Sequence, residues 1–291
     1  MNLERIALGT AQFGMSYGIA NKEGQVSRRE VGRIIKQAKK IGIRTIDTAM
    51  DYGDSELIIG KQNLQNMSIM TKVGYVPFNQ KDSSGWLRQH LNRSLNRLNV
   101  SSIETLMLHK PQQLLLPSGD EIYRQLLALK AEGMIKQLGI SVYNPDELDT
   151  ILDRYEFCLV QAPYNVFDQR FDHSGWIARL HKMRTKLHVR SIFMQGLLLM
   201  PKEKRPLKFQ RWQKLWNRWD QWLVESNTTP LAACLHHALA NEKIERVLVG
   251  VDKSTQLQQI VQAAKVQIPD LPKNLYTNDT MLLNPSKWKH L

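Results

Sequence analysis

Four side chains able to carry charge or move a proton stand at the ends of short apolar runs: Asp47, Tyr52, Lys72 and His109. A tyrosine phenol has a pKa of about 10, so it is a reluctant acid at neutral pH unless a nearby cation stabilises its phenolate. Lys72 would supply that cation, and the Asp47 carboxylate would hold the ammonium in place. His109 would donate a hydrogen bond to a substrate oxygen. Such a set is suited to protonating an oxyanion as it develops.

Each of these residues also has an ordinary structural interpretation. An aspartate before Thr-Ala is often a turn residue, a histidine before Lys-Pro is often a satisfied core residue, and a lysine usually faces solvent. The catalytic interpretation depends on their joint placement, because the four follow three successive predicted strands. We therefore predict that they form one site.

The elements that position these residues alternate along the chain. Apolar or β-branched runs predict eight strands, at residues 6–9, 44–48, 67–72, 103–109, 135–141, 157–162, 187–193 and 246–251. Helical periodicity separates them, and this alternation predicts a parallel sheet. Eight such units close a (β/α)8 TIM barrel, in which the carboxyl ends of the strands converge on one pocket.

Several helices begin at recognisable capping residues. The predicted starts are Ser27 with Glu30 and Ser118 with Glu121 as capping boxes, Asn144 before Pro145, and Ser254. These local signals agree with the strand–helix alternation.

Two segments depart from the alternation. Residues 196–227 are too long for a strand-to-helix connection and contain Trp212, Trp216, Trp219 and Trp222, spaced to lie along one helix face. We predict that these indoles pack an extra helix against the barrel, with ligand stacking as the alternative. The tail, residues 268–291, is predicted to wrap over one end of the barrel. Because no low-complexity linker divides the chain, residues 1–291 are predicted to form a single domain.

The charge balance is strongly basic. The chain has 40 Lys plus Arg against 27 Asp plus Glu, a net charge of +13, and twelve basic residues against Glu203 alone lie between Arg179 and Arg218. Such a field attracts polyanions. Zinc-finger spacing, RNA-binding aromatic motifs and a basic-zipper heptad are missing from this stretch, so we predict no nucleic-acid partner. A phosphorylated cofactor, a nucleotide-linked substrate or a solvated surface would account for the charge.

Cysteine content and hydropathy bear on the compartment. Cys158 and Cys234 each lie within an apolar run, which predicts reduced, buried thiols and no disulfide. No apolar run approaches the roughly 18 residues of a membrane helix. We predict a cytoplasmic protein without a membrane partner, and no metal site.

The segments DTAMDYGDSE, MTKVG and LHKP, together with the opening LGTAQFG, resemble the signature segments of the aldo-keto reductase family. The resemblance implies that Tyr52 is the proton donor and that Asp47, Lys72 and His109 complete a catalytic tetrad. It also implies reduction of an aldehyde or ketone by hydride from a nicotinamide cofactor. NADP(H) is expected to be preferred, with NAD(H) as the alternative.

Other segments resemble the cofactor contacts of the family. The implied cofactor residues are Gly9, Thr10, Ser141, Gln161, Arg190, Ser191, Phe193, Gln195, Gly250, Lys253 and Gln256. Ser141 and Gln161 match the residues that bind the nicotinamide carboxamide, and Lys253 stands where a helix N-terminus and a lysine suit a phosphate. Two departures are visible: Arg190 replaces the aromatic residue that usually stacks on the nicotinamide, and Gln256 replaces an arginine.

The sequence predicts less about the substrate than about the reaction. Phe13, Tyr17 and the tryptophans of residues 196–227 are predicted to form an apolar wall, whereas the basic field suits a sugar that carries a phosphate or a nucleotide. The altered cofactor contacts leave a second hypothesis open, a regulatory subunit that binds the cofactor within a protein complex and catalyses little. The sequence predicts no particular oligomeric state.

Overall fold

The computed structural model describes residues 3–77 and 83–291, and within them the strands close into a barrel. The strands are β1 (Ile6–Gly9), β2 (Thr45–Asp47), β3 (Ser68–Val73), β4 (Ile103–Leu108), β5 (Ile135–Ser141), β6 (Leu159–Pro163), β7 (Lys186–Arg190) and β8 (Arg246–Gly250). Each strand pairs in parallel with the next one along the chain, and β8 pairs with β1. The predicted (β/α)8 barrel is confirmed.

Helices lie between the strands and follow the last one. They are α1 (Ala11–Gly14), α2 (Arg28–Lys40), α3 (Ser55–Gly60), α4 (Ser83–Leu98), α5 (Gly119–Ala131), α6 (Glu147–Arg154), α7 (Arg170–His173), α8 (Trp176–Lys182), α9 (Gln213–Glu225), α10 (Pro230–Ala240), α11 (Ser254–Ala263) and α12 (Thr280–Leu283). Short 3₁₀ turns occupy Leu3–Arg5, Pro111–Leu115, Leu197–Leu199, Lys202–Lys204, Leu207–Trp212 and Pro285–His290.

The predicted end of the seventh strand is wrong. The strand was expected to reach residue 193, but β7 ends at Arg190 because Ser191 adopts a left-handed backbone with φ of 62°. A residue in that conformation cannot continue an extended strand. The chain therefore turns away directly after Arg190, at the mouth of the barrel.

The predicted helix caps are only partly right. The Ser27 hydroxyl accepts the Glu30 amide, but the Glu30 carboxylate does not return the bond, since it accepts the backbone N–H of Ser254 at 2.7 Å. Ser118 makes no side-chain cap bond, and the N-cap position of α6 is Asp146 and not Asn144, also without a side-chain cap bond. The N-cap of α11 is Lys253, and Ser254 is its first residue.

The described residues form two large hydrophobic cores and a small cluster of Met70, Met107 and Leu159. The larger lies between the outward faces of the strands and the surrounding helices, and it includes Phe13. The smaller joins α9 and the tail to the loops that follow β6 and β7, and it contains Trp216, Trp219 and Trp288. The packing role of the tryptophans is thus confirmed, as is the placement of the tail over one end of the barrel. An apolar substrate wall built from Phe13 and the tryptophans is wrong, because these side chains are buried in the cores.

The two cysteines differ in burial. Cys234 is buried and free, as predicted, whereas Cys158 is free but exposed. The predicted burial of Cys158 is wrong because the residue lies just before β6, outside the strand itself. Across residues 3–77 and 83–291, no helix combines the length and apolar character needed to cross a membrane.

A buried carboxylate joins the second βα unit to α4. Glu56 on α3 is 1% exposed and accepts hydrogen bonds from Thr71 at 2.7 Å, from Ser94 at 2.9 Å and from Arg97 Nε at 2.8 Å. These bonds fix α3, β3 and α4 relative to one another. They therefore also fix the loop between β2 and α3, which carries Tyr52.

We expect Glu56→Ala to lower the free energy of unfolding by about 2–4 kcal/mol, because it removes the acceptor of several charge-assisted bonds. Urea unfolding followed by circular dichroism measures the change. Glu132→Ala is the matched control, since Glu132 forms an exposed ion pair with Arg88, and it should leave the midpoint nearly unchanged. Equal effects of the two substitutions would contradict the role given to Glu56.

Candidate active site

A buried ion pair lies at the carboxyl ends of β2 and β3. Lys72 is 1% exposed, and its Nζ donates to Asp47 Oδ2 at 2.6 Å and to the Thr48 carbonyl at 2.9 Å. The other carboxylate oxygen of Asp47 accepts from Gln161 Nε2 at 2.8 Å. Each charged group therefore has more than one hydrogen-bond partner, which a buried ion pair requires.

Tyr52 lies beside this pair, on the loop between β2 and α3. The Lys72 Nζ stands 5.2 Å from the centroid of the Tyr52 ring. The His109 ring meets the Tyr52 ring edge to face, with centroids 5.9 Å apart. The structure therefore brings together the four residues that the sequence predicted.

Two glycines allow the Tyr52 loop to sit where it does. A Cβ on Gly14 would lie 1.7 Å from the Tyr52 carbonyl oxygen, so only glycine fits there. Gly53 has φ of 52°, and a Cβ on it would lie 2.3 Å from the Gly14 carbonyl oxygen. The close approach of α1 to this loop holds the Tyr52 backbone against the first strand–helix unit.

The surroundings of the Tyr52 hydroxyl oppose its ionisation, although Lys72 lies close by. The pKa of Tyr52 is raised well above its ordinary value, first by burial and then by the Asp47 carboxylate, and the Arg190 guanidinium opposes both. Desolvation disfavours a phenolate, and Asp47 offsets the charge of Lys72. Tyr52 is therefore protonated at neutral pH and holds its proton until a stronger base develops beside it.

His109 follows β4 and is half-buried. Burial lowers the pKa of its imidazole most, while the nearby Asp51 carboxylate raises it and the charge of Lys72 lowers it further. The imidazole is consequently neutral at pH 7 and donates through one ring nitrogen only. Its Nδ1 lies 3.7 Å from Asp51 Oδ2.

Across the mouth from Tyr52, Arg190 ends β7. Its guanidinium lies over the Tyr143 ring at 4.3 Å, and its Nη2 donates to the Val142 carbonyl at 3.0 Å. Tyr143 is not among the site residues predicted from the sequence. The contact between Arg190 and Tyr143 cannot be predicted from local sequence, because 47 positions separate the two residues.

The loop after β7 is strained and closes against the segment after α1. Ser191, Met194 and Gln195 all have positive φ, which costs non-glycine residues about 1–3 kcal/mol each. The Gln195 carbonyl accepts the Ala20 amide at 3.3 Å, and Gln195 Nε2 lies 3.5 Å from the Tyr17 hydroxyl. Tyr17 thus lies beside the loop after β7, while Phe193 packs partly into both large cores.

Comparison with known proteins identifies this arrangement. The family model described as Aldo/keto reductase family matches residues 5–271. The chain belongs to the aldo/keto reductase family. It is accordingly an NAD(P)H-dependent, carbonyl-reducing enzyme built on the barrel described above.

Curated relatives resemble this reductase over nearly their whole length. An uncharacterised oxidoreductase of Bacillus subtilis is 25% identical, covering 89% of this chain and 90% of the relative. A D-threo-aldose 1-dehydrogenase of a Pseudomonas species is also 25% identical, covering 90% of this chain and 92% of the relative. Among solved structures, the holo form of an aldo-keto reductase from Bacillus halodurans superposes with a TM-score of 0.71 at 22% identity, covering 91% and 88% of the two chains. That superposition supports the fold.

The residues at the mouth of this reductase fit a nicotinamide carboxamide. Gln161 is fully buried, and its Oε1 has no hydrogen-bond partner among the described residues. A buried acceptor without a partner is costly unless a donor arrives. Ser141 stands beside Gln161 in the β5–β6 register. A carboxamide supplies both a donor and an acceptor, so these two residues are suited to it.

Gly9, Thr10 and Gly250, which the sequence also predicts to contact the cofactor, already have contacts within the protein. Gly9 and Gly250 face each other across the β1–β8 seam, which Gln12 bridges by donating to the Val251 carbonyl at 2.9 Å. The Thr10 hydroxyl is already engaged, because it donates to the Asp47 carbonyl and accepts from Ser55. Gln12 was not identified from the sequence. In residues 3–77 and 83–291, no group of three or more potential metal ligands comes together.

The start of α11 lies apart from the tetrad, beyond the end of β8. Lys253 Nζ pairs with Glu23 at 2.6 Å, and Gln256 Oε1 accepts the backbone N–H groups of Asp252 and Lys253. Both residues therefore have partners within the protein. Their predicted contacts with a cofactor stay predictions.

Proposed function

We propose that this reductase converts an aldehyde or ketone into an alcohol, with Tyr52 as the proton donor and a sugar or sugar-derived carbonyl as the class of substrate. The names of several relatives support the substrate class: one is a D-threo-aldose 1-dehydrogenase, and another is an L-glyceraldehyde 3-phosphate reductase of Escherichia coli. The single observation that carries the proposal is the packing of Tyr52 beside both the Lys72 ammonium and the His109 imidazole.

Each of the four site residues has a separate role in the proposed reaction. His109 orients the carbonyl oxygen by donating a hydrogen bond, and Tyr52 transfers its proton to that oxygen as negative charge develops there. An alkoxide is a far stronger base than a phenolate, so the transfer is favourable even from a phenol with a raised pKa. Lys72 then stabilises the phenolate that remains, while Asp47 keeps the ammonium in position.

We propose that Ser141 and Gln161 hold the nicotinamide, with Gly9, Thr10, Ser191, Phe193, Gln195 and Gly250 around it and Lys253 and Gln256 toward the adenosine end. The cofactor, NADH or NADPH, supplies the hydride when it is bound. The sequence favours NADP(H) because a lysine at position 253 suits a phosphate. In the structure, Lys253 forms an ion pair with Glu23.

The direct experiment incubates purified protein with NADH or NADPH and a panel of aldoses, short aldehydes and ketones. Oxidation of the cofactor is followed by absorbance, and the alcohol product is identified. Turnover of at least one member supports the proposal. Tight nucleotide binding without any turnover, together with a stable complex with another protein, would favour a regulatory subunit instead.

Arg190 is proposed to face the nicotinamide, where its charge disfavours the positively charged oxidised ring. We expect Arg190→Met to tighten binding of the oxidised cofactor by about 3- to 10-fold relative to the reduced one, as the loss of one partly screened charge predicts. Arg190→Lys keeps the charge and should keep the wild-type ratio. Dissociation constants of both forms, measured by calorimetry, check this, and an unchanged ratio in Arg190→Met would place the guanidinium away from the ring.

Three further statements remain predictions about this protein. They are that residues 1–291 form one domain, that the protein is cytoplasmic, and that it has no nucleic-acid partner. A gel-shift experiment at low salt tests the last, because phosphate-driven binding is strongest there.

A further inference from the structure

The two nicotinamide cofactors differ by one 2′-phosphate on the adenosine ribose, and the proposed function places that ribose near the start of α11. We infer that this reductase prefers NAD(H) to NADP(H), and that Glu23, with Glu30 and Asp252, sets the preference by occupying and repelling the phosphate position. The inference rests on the proposed function, and it reverses the expectation drawn from Lys253 in the sequence.

The lysine that would bind the phosphate is already paired. Lys253 Nζ lies 2.6 Å from Glu23 Oε1, and the two side chains are 53% and 69% exposed. Glu23 comes from the segment between α1 and α2, so the pair bridges two distant parts of the chain. A phosphate that contacts Lys253 must either displace the Glu23 carboxylate or bind beside its negative charge.

Three backbone donors around the helix start are also taken. Free N–H groups at a helix N-terminus are the usual binding site for a phosphate. Here the Ser254 N–H donates to Glu30 Oε1 at 2.7 Å. The N–H groups of Asp252 and Lys253 donate to Gln256 Oε1 at 2.7 Å and 3.2 Å. The helix start already has a protein carboxylate where an anion would bind.

The carboxylates at the helix start oppose the binding of a dianion. Glu23, Glu30 and Asp252 lie there, and the two nearest cations are already paired, Lys253 with Glu23 and Arg33 with Glu30 at 3.1 Å. The pKa of Glu30 is lowered, first by its bond to the Ser254 backbone, so its carboxylate is ionised at neutral pH. The pKa of Asp252 is raised, first by burial and then by the negative charge of Glu23.

A basic groove provides the opposing charge. It has a volume of about 600 Å³ between α2 and α11, where Arg33, Lys36 and Lys40 face Ser254 and Thr255. A 2′-phosphate that entered this groove would gain attraction from the lysines. The free ribose hydroxyl of NAD(H) needs neither the groove nor Lys253, and it meets no repulsion from the acids.

The test measures dissociation constants of NADH and NADPH by quenching of tryptophan fluorescence, at low and at physiological salt. In the wild type we expect NADH to bind at least several-fold more tightly than NADPH, with a smaller difference at higher salt because exposed charges are screened. We expect Glu23→Gln to tighten NADPH binding by about 3- to 10-fold at low salt without tightening NADH binding. Glu132→Gln is the control for an exposed acid elsewhere, and it should change neither constant.

Several outcomes would overturn the inference and leave the proposed function standing. One is a wild type that binds NADPH more tightly than NADH, which would show that the groove lysines prevail over the acids. Another is an equal response of both cofactors to Glu23→Gln. Failure of the proposed function looks different, since the wild type would then bind neither nucleotide.

Discussion

Replacement of Tyr52 by phenylalanine is expected to lower kcat by about 10²- to 10⁴-fold, the range that a positioned general acid contributes. The ring would remain beside Lys72 and His109, because phenylalanine keeps the shape of the side chain and loses only the hydroxyl. Steady-state assays with a substrate found in the aldehyde and ketone panel measure the effect. Water would then be the remaining proton source for the alkoxide.

The same variant separates a chemical role from a structural one. Dissociation constants for NADH and NADPH should stay within about two-fold of the wild type, since Tyr52 is assigned to the proton and not to the cofactor. The midpoint of unfolding should also change little, because no hydrogen bond of the Tyr52 hydroxyl holds the described fold together. Full activity in Tyr52→Phe would show that another group delivers the proton.

The second large effect is expected at Lys72. Lys72→Met would leave the Asp47 carboxylate buried beside Gln161 without its cation, which costs about 3–5 kcal/mol when one partner of a buried pair is removed. We expect this loss in the free energy of unfolding, measured with urea, and activity at or below that of Tyr52→Phe. A stable, active Lys72→Met variant would contradict the account of the pair.

A double variant distinguishes lost folding from lost catalysis. Asp47→Asn together with Lys72→Met removes both charges and keeps the approximate side-chain volumes, so part of the lost stability should return. Activity should not return, because nothing then stabilises the Tyr52 phenolate. Recovery of both stability and activity would indicate that the pair serves the fold alone.

Much of this site was predictable because its signals are local. The strand–helix alternation fixed the barrel, and the barrel fixed where Asp47, Lys72 and His109 had to meet, at the ends of β2, β3 and β4. Tyr52 lies near them because the loop after β2 is short and folds back onto Gly14. Strand ends indicated where the side chains would meet, and the resemblance of DTAMDYGDSE, MTKVG and LHKP to the family's segments implied the roles, including that of Tyr52.

The remaining features depend on contacts between distant parts of the chain. Glu30 follows Ser27 in a capping-box pattern, yet it caps the helix that begins 224 positions later at Ser254. The left-handed Ser191 carries no glycine signal, so the end of β7 was placed too late. The raised pKa of Tyr52 reflects burial of the phenol, which the sequence alone does not reveal. Each of these features is set by tertiary packing.

The most direct test of the central claim is the pH dependence of hydride transfer in a single turnover, from about pH 6 to about pH 11, for the wild type and Tyr52→Phe. A phenol donates only while protonated, and the pKa of Tyr52 is raised above its usual value of about 10. The wild-type rate should therefore stay level through about pH 10, where an ordinary phenol would be half ionised. Tyr52→Phe should be at least about 100-fold slower over the same range. The same rate in both proteins would show that Tyr52 is not the proton donor.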